Sequence, residues 1–120
     1  MWKETAKDDY VVAQDLIASH HNDWGLFMGQ LVLEKLLKGI ITKRCDEAPP
    51  FTHDLKILAR AANIPLTDKQ RSDFETISSF NVGARYGYIK DKLYKKATPE
   101  YTEEWFTKIS TYREWLLSYL

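Results

Sequence analysis

Three groups of residues in this chain have the types and spacing that chemistry requires. The first is Gln30, Glu34 and Lys38, set at steps of four, which places them on one face of a helix. On a solvated helix a Glu–Lys pair at this spacing contributes only about 0.3–0.5 kcal/mol. Here the line crosses an otherwise apolar stretch, which leaves two readings: an ordinary surface pair, or a polar line facing a cleft or a partner chain that satisfies it. The second is His53 in "THDL", which admits two readings. It is a general base if a partner lies within hydrogen-bond reach, or a helix-entry residue packed against a neighbouring helix. The third is "ARYGYIKDKLYKK", residues 84–96. Arg85, Lys90, Lys92, Lys95 and Lys96 stand there against a single acid, Asp91, with Tyr86, Tyr88 and Tyr94 interleaved. Cations meeting phosphates and rings stacking on bases is the chemistry of single-strand nucleic-acid grooves. The same composition also describes a lysine-rich solvated loop whose tyrosines return to the core.

Other chemistries find no support. His20 and His21 are adjacent, so on a helix they point about 100° apart and cannot share one metal from one face. The sequence has no glycine-rich phosphate loop, no metal-spaced cysteine set and no nucleophile elbow. No metal or cofactor is expected. Lys plus Arg and Asp plus Glu both number 17, and this balance argues against a dedicated non-specific nucleic-acid binder while leaving room for a local patch. A lone cysteine, Cys45, forms no internal disulfide and suits a reducing cytoplasm. The opening "MWKETAKDD" lacks the apolar core of a signal peptide, and no stretch approaches the roughly 20 apolar residues that span a bilayer.

The elements that must position these groups are helical. At 120 residues the chain is one domain, long enough to bury a core without disulfide or metal. Ala6, Tyr10, Ala13 and Ile17 form the stripe of a first helix over residues 3–19, and Asn22 or Asp23 is placed to cap the next. The second runs from Trp24 to Lys43. It is apolar over so much of its circumference that it needs neighbours on several sides, at the centre of a bundle or at a dimer interface. Pro49 and Pro50 end it. "THDLKILARAANI" reads as a short third helix with Thr52 as cap and Asp54 favouring the dipole. Thr67 and Gln70 form a capping box opening a helix to about Asn81, with Phe74, Ile77 and Phe80 buried. Thr98 and Pro99 open the last helix, whose stripe is Trp105, Ile109, Tyr112, Leu116 and Tyr119. The fold expected is all-α, an antiparallel up-and-down bundle of four long helices plus a short one.

"GQLVLEKLLKGI" on the central helix, then "PPFTHDLKIL", then "NVGARYGYIKD" together resemble the prokaryotic HEPN domain over nearly the whole chain. Gln30, Glu34, Lys35 and Lys38 match the family's second-helix pattern. Thr52, His53, Asp54 and Leu55 match its Thr-His-Asp-Leu element, and Arg85 and Tyr86 its Arg-Tyr element. The resemblance implies a helical bundle that dimerises through its long helices, and nucleotide-related work. It also implies a two-part, toxin–antitoxin-like module with a minimal nucleotidyltransferase. Ribonuclease members carry an Arg, a polar residue and then a His four to six positions on. This chain departs from that pattern: Tyr86 follows Arg85, and His53 is the last histidine in the sequence. An unperturbed lysine such as Lys90 is a poor substitute base at neutral pH. The Arg-Tyr-Pro branch also lacks the histidine, and here Gly87 replaces even its proline.

These readings lead to a dimeric, cytoplasmic nucleotide- or RNA-binding module. Lys35, Lys38, Arg85 and Lys90 would contact phosphate, and Tyr86 would stack or orient Arg85. The absent histidine points away from catalysis. Two other functions stay open. One is a metal-independent ribonuclease using Arg85 and His53. The other is a structural helical dimer that docks a partner protein, since 13% of residues, four Trp among them, are aromatic.

Overall fold

Helical periodicity becomes, among the described residues, six α-helices in the computed structural model: α1 (Trp2–Ala18), α2 (Asn22–Cys45), α3 (Leu55–Ala61), α4 (Asp68–Gly83), α5 (Gly87–Lys96) and α6 (Pro99–Leu117). The structure describes the backbone of residues 1–83 and 87–120, and the side chains of residues 1–81 and 91–120.

The central helix is the hub. α2 packs against each of the other five helices. At 24 residues it is about 36 Å long and spans most of the molecule's 40 Å long axis. Leu26, Val32, Leu33, Leu36, Leu37, Ile40 and Ile41 are all almost wholly buried, so its broad apolar surface meets helices on several sides. α1 runs antiparallel to it, since Gly25 faces Ile17 and Gly39 faces Trp2. α6 runs in the same direction as α2. Asn22 donates to the Ala97 carbonyl at one end, Gly29 meets Ile109 in the middle, and Lys43 reaches the Leu120 carbonyl at the other. α4 opposes α6, pairing Phe80 with Tyr101 and Phe74 with Tyr112. The four long helices therefore alternate in direction, with α3 and α5 as short additions.

Several local details differ from the sequence expectations. α2 starts earlier than Trp24, and Asn22 and Asp23 lie inside it rather than capping it. The cause is the end of α1. His20 takes a left-handed φ of 66°, with His20 N–H on the Ile17 carbonyl and His21 N–H on that of Leu16. This closes a Schellman motif and turns the chain within three residues. The cap of α3 is Asp54, whose carboxylate accepts the Lys56 N–H, while Thr52 instead accepts the N–H of Asp54. The segment after Gly87 is a helix rather than a solvated loop. α5 buries Leu93 against the bundle, Ala97 just past its end is buried too, and Tyr94 points outward, 70% exposed. The capping box of α4 forms in both directions, Thr67 N–H to Gln70 and Gln70 N–H to Thr67 Oγ1. Thr98 caps α6, with Pro99 in its first turn.

A polar clamp joins α4 to α6. The Tyr112 hydroxyl donates to buried Asp73 at 2.7 Å, and Lys69 and Lys108 both stand 3.6 Å from the same carboxylate. Burial, then the hydrogen bond and charge of Asp73, push the Tyr112 hydroxyl well above its ordinary range. It therefore stays a donor at any physiological pH.

The α1–α2 contact depends on a missing side chain. A Cβ on Gly25 would lie 2.4 Å from Ile17 Cγ1, whereas one on Gly29 would lie 2.8 Å from the terminal Cδ1 of Ile109 and 3.3 Å from its Cγ2. Overpacking costs about 1–3 kcal/mol, and a glycine-to-alanine change inside a helix returns about 1. Gly25→Ala should therefore lower the urea midpoint. Gly29→Ala should lower it less, because the nearest atom there is the terminal methyl of Ile109 at 2.8 Å rather than a chain carbon at 2.4 Å.

Candidate functional site

The polar line on α2 lies where α2, the entry to α3 and the end of α4 converge. Gln30 is completely buried, and its side chain is used at both ends. Its Oε1 accepts from Asn81 Nδ2 at 2.9 Å. Its Nε2 donates to Glu34 Oε1 at 3.1 Å and to the His53 carbonyl at 3.0 Å. One turn on, the Glu34 side chain is only 6% exposed. Its Oε1 also meets His53 Nδ1 at 2.8 Å, and its Oε2 takes Lys38 Nζ at 2.9 Å. Asn81 lies on the buried stripe of α4 with Phe74 and Ile77.

This network places His53 at three points. Its carbonyl is tied to α2 through Gln30, its ring is tied to α2 through Glu34, and the following residue, Asp54, caps α3. The Leu55 N–H donates to Ser78 Oγ at 3.0 Å, fastening the start of α3 to α4. With Nδ1 on the carboxylate, the other ring nitrogen, Nε2, has no hydrogen-bond partner among the described residues. The side chain is 53% exposed, and it lines a cavity of about 390 Å³ with Lys56, Glu75, Ser78 and Ser79. A carboxylate holding one nitrogen while the other faces open space fixes the ring's orientation. The outer nitrogen can then donate to an anion or exchange a proton.

Electrostatics explain why Glu34 remains a carboxylate. Burial pushes it up, but hydrogen bonds from Lys38, His53 and Gln30, with the charge of Lys38, outweigh this and hold it below its ordinary value of 4.5.

The sequence-derived site residues divide between places. Gln30, Glu34, Lys38 and His53 form the network. Lys35 points to another face and pairs with Asp9 of α1. Lys38 sits against Glu34 and over the Trp2 ring, 5.9 Å from its centroid. Both lysines thus already have a partner carboxylate. Arg85 and Tyr86 lie outside the described residues, as does the side chain of Lys90. Sequence reasoning missed Asn81, although a polar residue on an apolar stripe was a usable signal, and it missed Lys56, for which no signal existed. Among the described residues no group of three or more His, Cys, Asp or Glu could hold a metal, and no helix is long and apolar enough to cross a membrane.

The HEPN domain model matches residues 1–119. The chain belongs to the HEPN family. No curated protein and no solved structure matches it. Membership in HEPN supports a nucleotide- or RNA-related role, and in this HEPN domain buried Gln30 and Glu34 are joined to a half-exposed His53.

Glu34→Gln should destabilise the fold by roughly 3 kcal/mol, because it leaves the Lys38 ammonium without its counter-charge. The pH dependence follows from the lowered folded value. Glu34 contributes stability above 4.5 and loses that contribution as the pH falls through its folded value. The stability gap between wild type and Glu34→Gln should therefore be full near neutrality and shrink in acid. Urea unfolding at a series of pH values checks this, and a gap that stayed constant into acid would contradict it.

Proposed function

We propose that this HEPN domain binds the phosphate of a nucleotide or RNA where the entry to α3 meets α4. The observation carrying the proposal is the 2.8 Å contact from His53 Nδ1 to buried Glu34, which leaves Nε2 directed outward. Lys56 lines the same cavity. Its partner Glu75 is 71% exposed, at 3.2 Å, and such a surface pair holds a lysine only weakly. A phosphate can displace it. Lys38 and Lys35 then act as counter-charges to Glu34 and Asp9, and the phosphate contacts pass to His53 and Lys56. Arg85, four positions after Asn81 in sequence, is the further cation of this reading, and Tyr86 and Lys90 follow it in sequence. In this reading the domain works as a cytoplasmic homodimer beside a minimal nucleotidyltransferase, in a two-part toxin–antitoxin-like module.

The same His53–Glu34 contact favours a second reading, metal-independent RNA cleavage. A base oriented by a carboxylate is what proton transfer requires. Neutral His53 would take the proton of a ribose 2′-hydroxyl, whose oxygen forms a bond to the adjacent phosphorus. The bond to the 5′-oxygen of the next nucleotide breaks, that oxygen is protonated from water, and a cyclic phosphate remains. Arg85 would stabilise the charge on the phosphorus oxygens.

Fluorescence anisotropy with a labelled nucleotide and a labelled RNA at low salt tests the binding reading. His53→Ala and Arg85→Ala should each weaken binding by about tenfold or more, in line with loss of a hydrogen bond to a charged group, with the circular dichroism spectrum unchanged. Wild type that binds neither probe would end the proposal. Incubation with labelled RNA separates the two readings: cleavage abolished in His53→Ala supports catalysis, and an inert wild type leaves binding alone.

A further inference from the structure

The cavity at His53 does not end at His53. Its walls at Asp54 and Lys56 also bound a second cavity of about 390 Å³, which continues along α3 to Arg60 and, from the start of α4, Arg71. Ile57, Ile64 and Leu66 provide apolar surface there. Arg60 is exposed and makes no ion pair among the described residues. Arg71 reaches Asp68 at 3.3 Å, but that carboxylate is fully exposed, so the pair is weak in water. The acid in the wall, Asp54, is occupied in capping α3. Two residues before His53 in sequence, outside the lining of both cavities, Phe51 stands wholly exposed, with no ring contact among the described residues. A free aromatic face, an oriented imidazole and successive cations along one trough match the alternation of base and phosphate in a single strand. From Leu55 to Arg60 the rise of α3 is roughly 8 Å, more than one phosphate can cover.

We propose that this trough is an extended site for a single-stranded oligonucleotide, with a base stacked on Phe51, one phosphate at His53 and Lys56, and further phosphates held by Arg60 and Arg71. The proposal rests on the phosphate site at His53 and names its ligand class as a strand rather than a mononucleotide. The trough reads backbone charge and a ring face, so sequence selectivity is low and salt dependence steep.

The test compares a labelled mononucleotide with a labelled single-stranded RNA dodecamer and its DNA counterpart, on the full chain across a salt series. The double variant Arg60→Ala/Arg71→Ala should weaken the dodecamer at least about tenfold and lower its log–log salt slope by about 1.4, the equivalent of two phosphates. Mononucleotide binding should be unchanged. Phe51→Ala should cost the dodecamer about tenfold more. All three side chains are exposed, so the fold is not at risk. A dodecamer bound no more tightly than the mononucleotide, or equal losses for both probes, overturns the trough and leaves the His53 site standing. Wild type that binds neither overturns both. Displacement of the dodecamer by polyglutamate, with Phe51→Ala silent, assigns the trough to an acidic protein and overturns the nucleic-acid reading. RNA held more tightly than DNA identifies the ribose hydroxyl as part of what is recognised.

Discussion

A carboxylate inside a helical bundle is expensive unless every lone pair finds a donor. Glu34 meets that requirement with Gln30 on one side, Lys38 on the other and His53 across the gap to α3. Gln30 and Lys38 lie on α2 with Glu34, whereas His53 comes from the entry to α3, so satisfying one charge also sets the geometry around it. α2 cannot rotate without breaking the bonds of Glu34 and Gln30 to His53, the entry to α3 cannot lift without losing the same bonds, and the end of α4 is bound through Asn81 to Gln30. The network is connected throughout, the condition under which buried polar groups specify one arrangement rather than weaken a core.

The demand originates in the position of α2. A helix packed against five others has little solvated surface before its last turn, where Thr42, Lys43 and Arg44 are exposed, so polar residues along its middle must be answered by neighbours. On the α1 side Lys35 is answered by Asp9, a contact that serves assembly. On the α3–α4 side the answer is His53, and this differs because the imidazole has two nitrogens and only one is needed inside. The second is left for solvent or ligand. The functional candidate is thus a by-product of satisfying a structural charge, placed at the one edge where the network reaches the surface. The Asp73–Tyr112 clamp between α4 and α6 gives the contrast. It joins two helices, and Lys69 and Lys108 already balance its acid.

The surface outside the network carries the rest of the HEPN reading. The chain is neutral overall, so any attraction for phosphate has to be local. It collects beside α3, where Lys56, Arg60 and Arg71 line adjoining cavities, and in the sequence after Asn81, where Arg85 and the lysines cluster. Charge patterning within a balanced composition thus permits nucleotide or strand recognition without general adhesion to polyanions.

Much of this was legible in the sequence, because periodicity and caps are local. The stripe of α1, the all-round apolar character of α2, the Thr67–Gln70 box and the Thr98–Pro99 opening of α6 each depend on residues within four positions of one another. The alignment of Gln30, Glu34 and Lys38 follows from 3.6 residues per turn alone. Their partners were not legible, because Glu34 and His53 are 19 positions apart and Gln30 and Asn81 are 51 apart, gaps bridged only when the helices pack. The same holds for α5. Its ten residues are too few to hold a helix alone, and only docking Leu93 and Ala97 on the bundle made them one. The sequence by itself determined the four long helices, which of their faces are apolar and that a polar line crosses the central one. Tertiary structure alone decided that Glu34 faces His53 while Lys35 faces Asp9, because which neighbour meets a given side of a helix depends on long-range packing, and no local pattern encodes it.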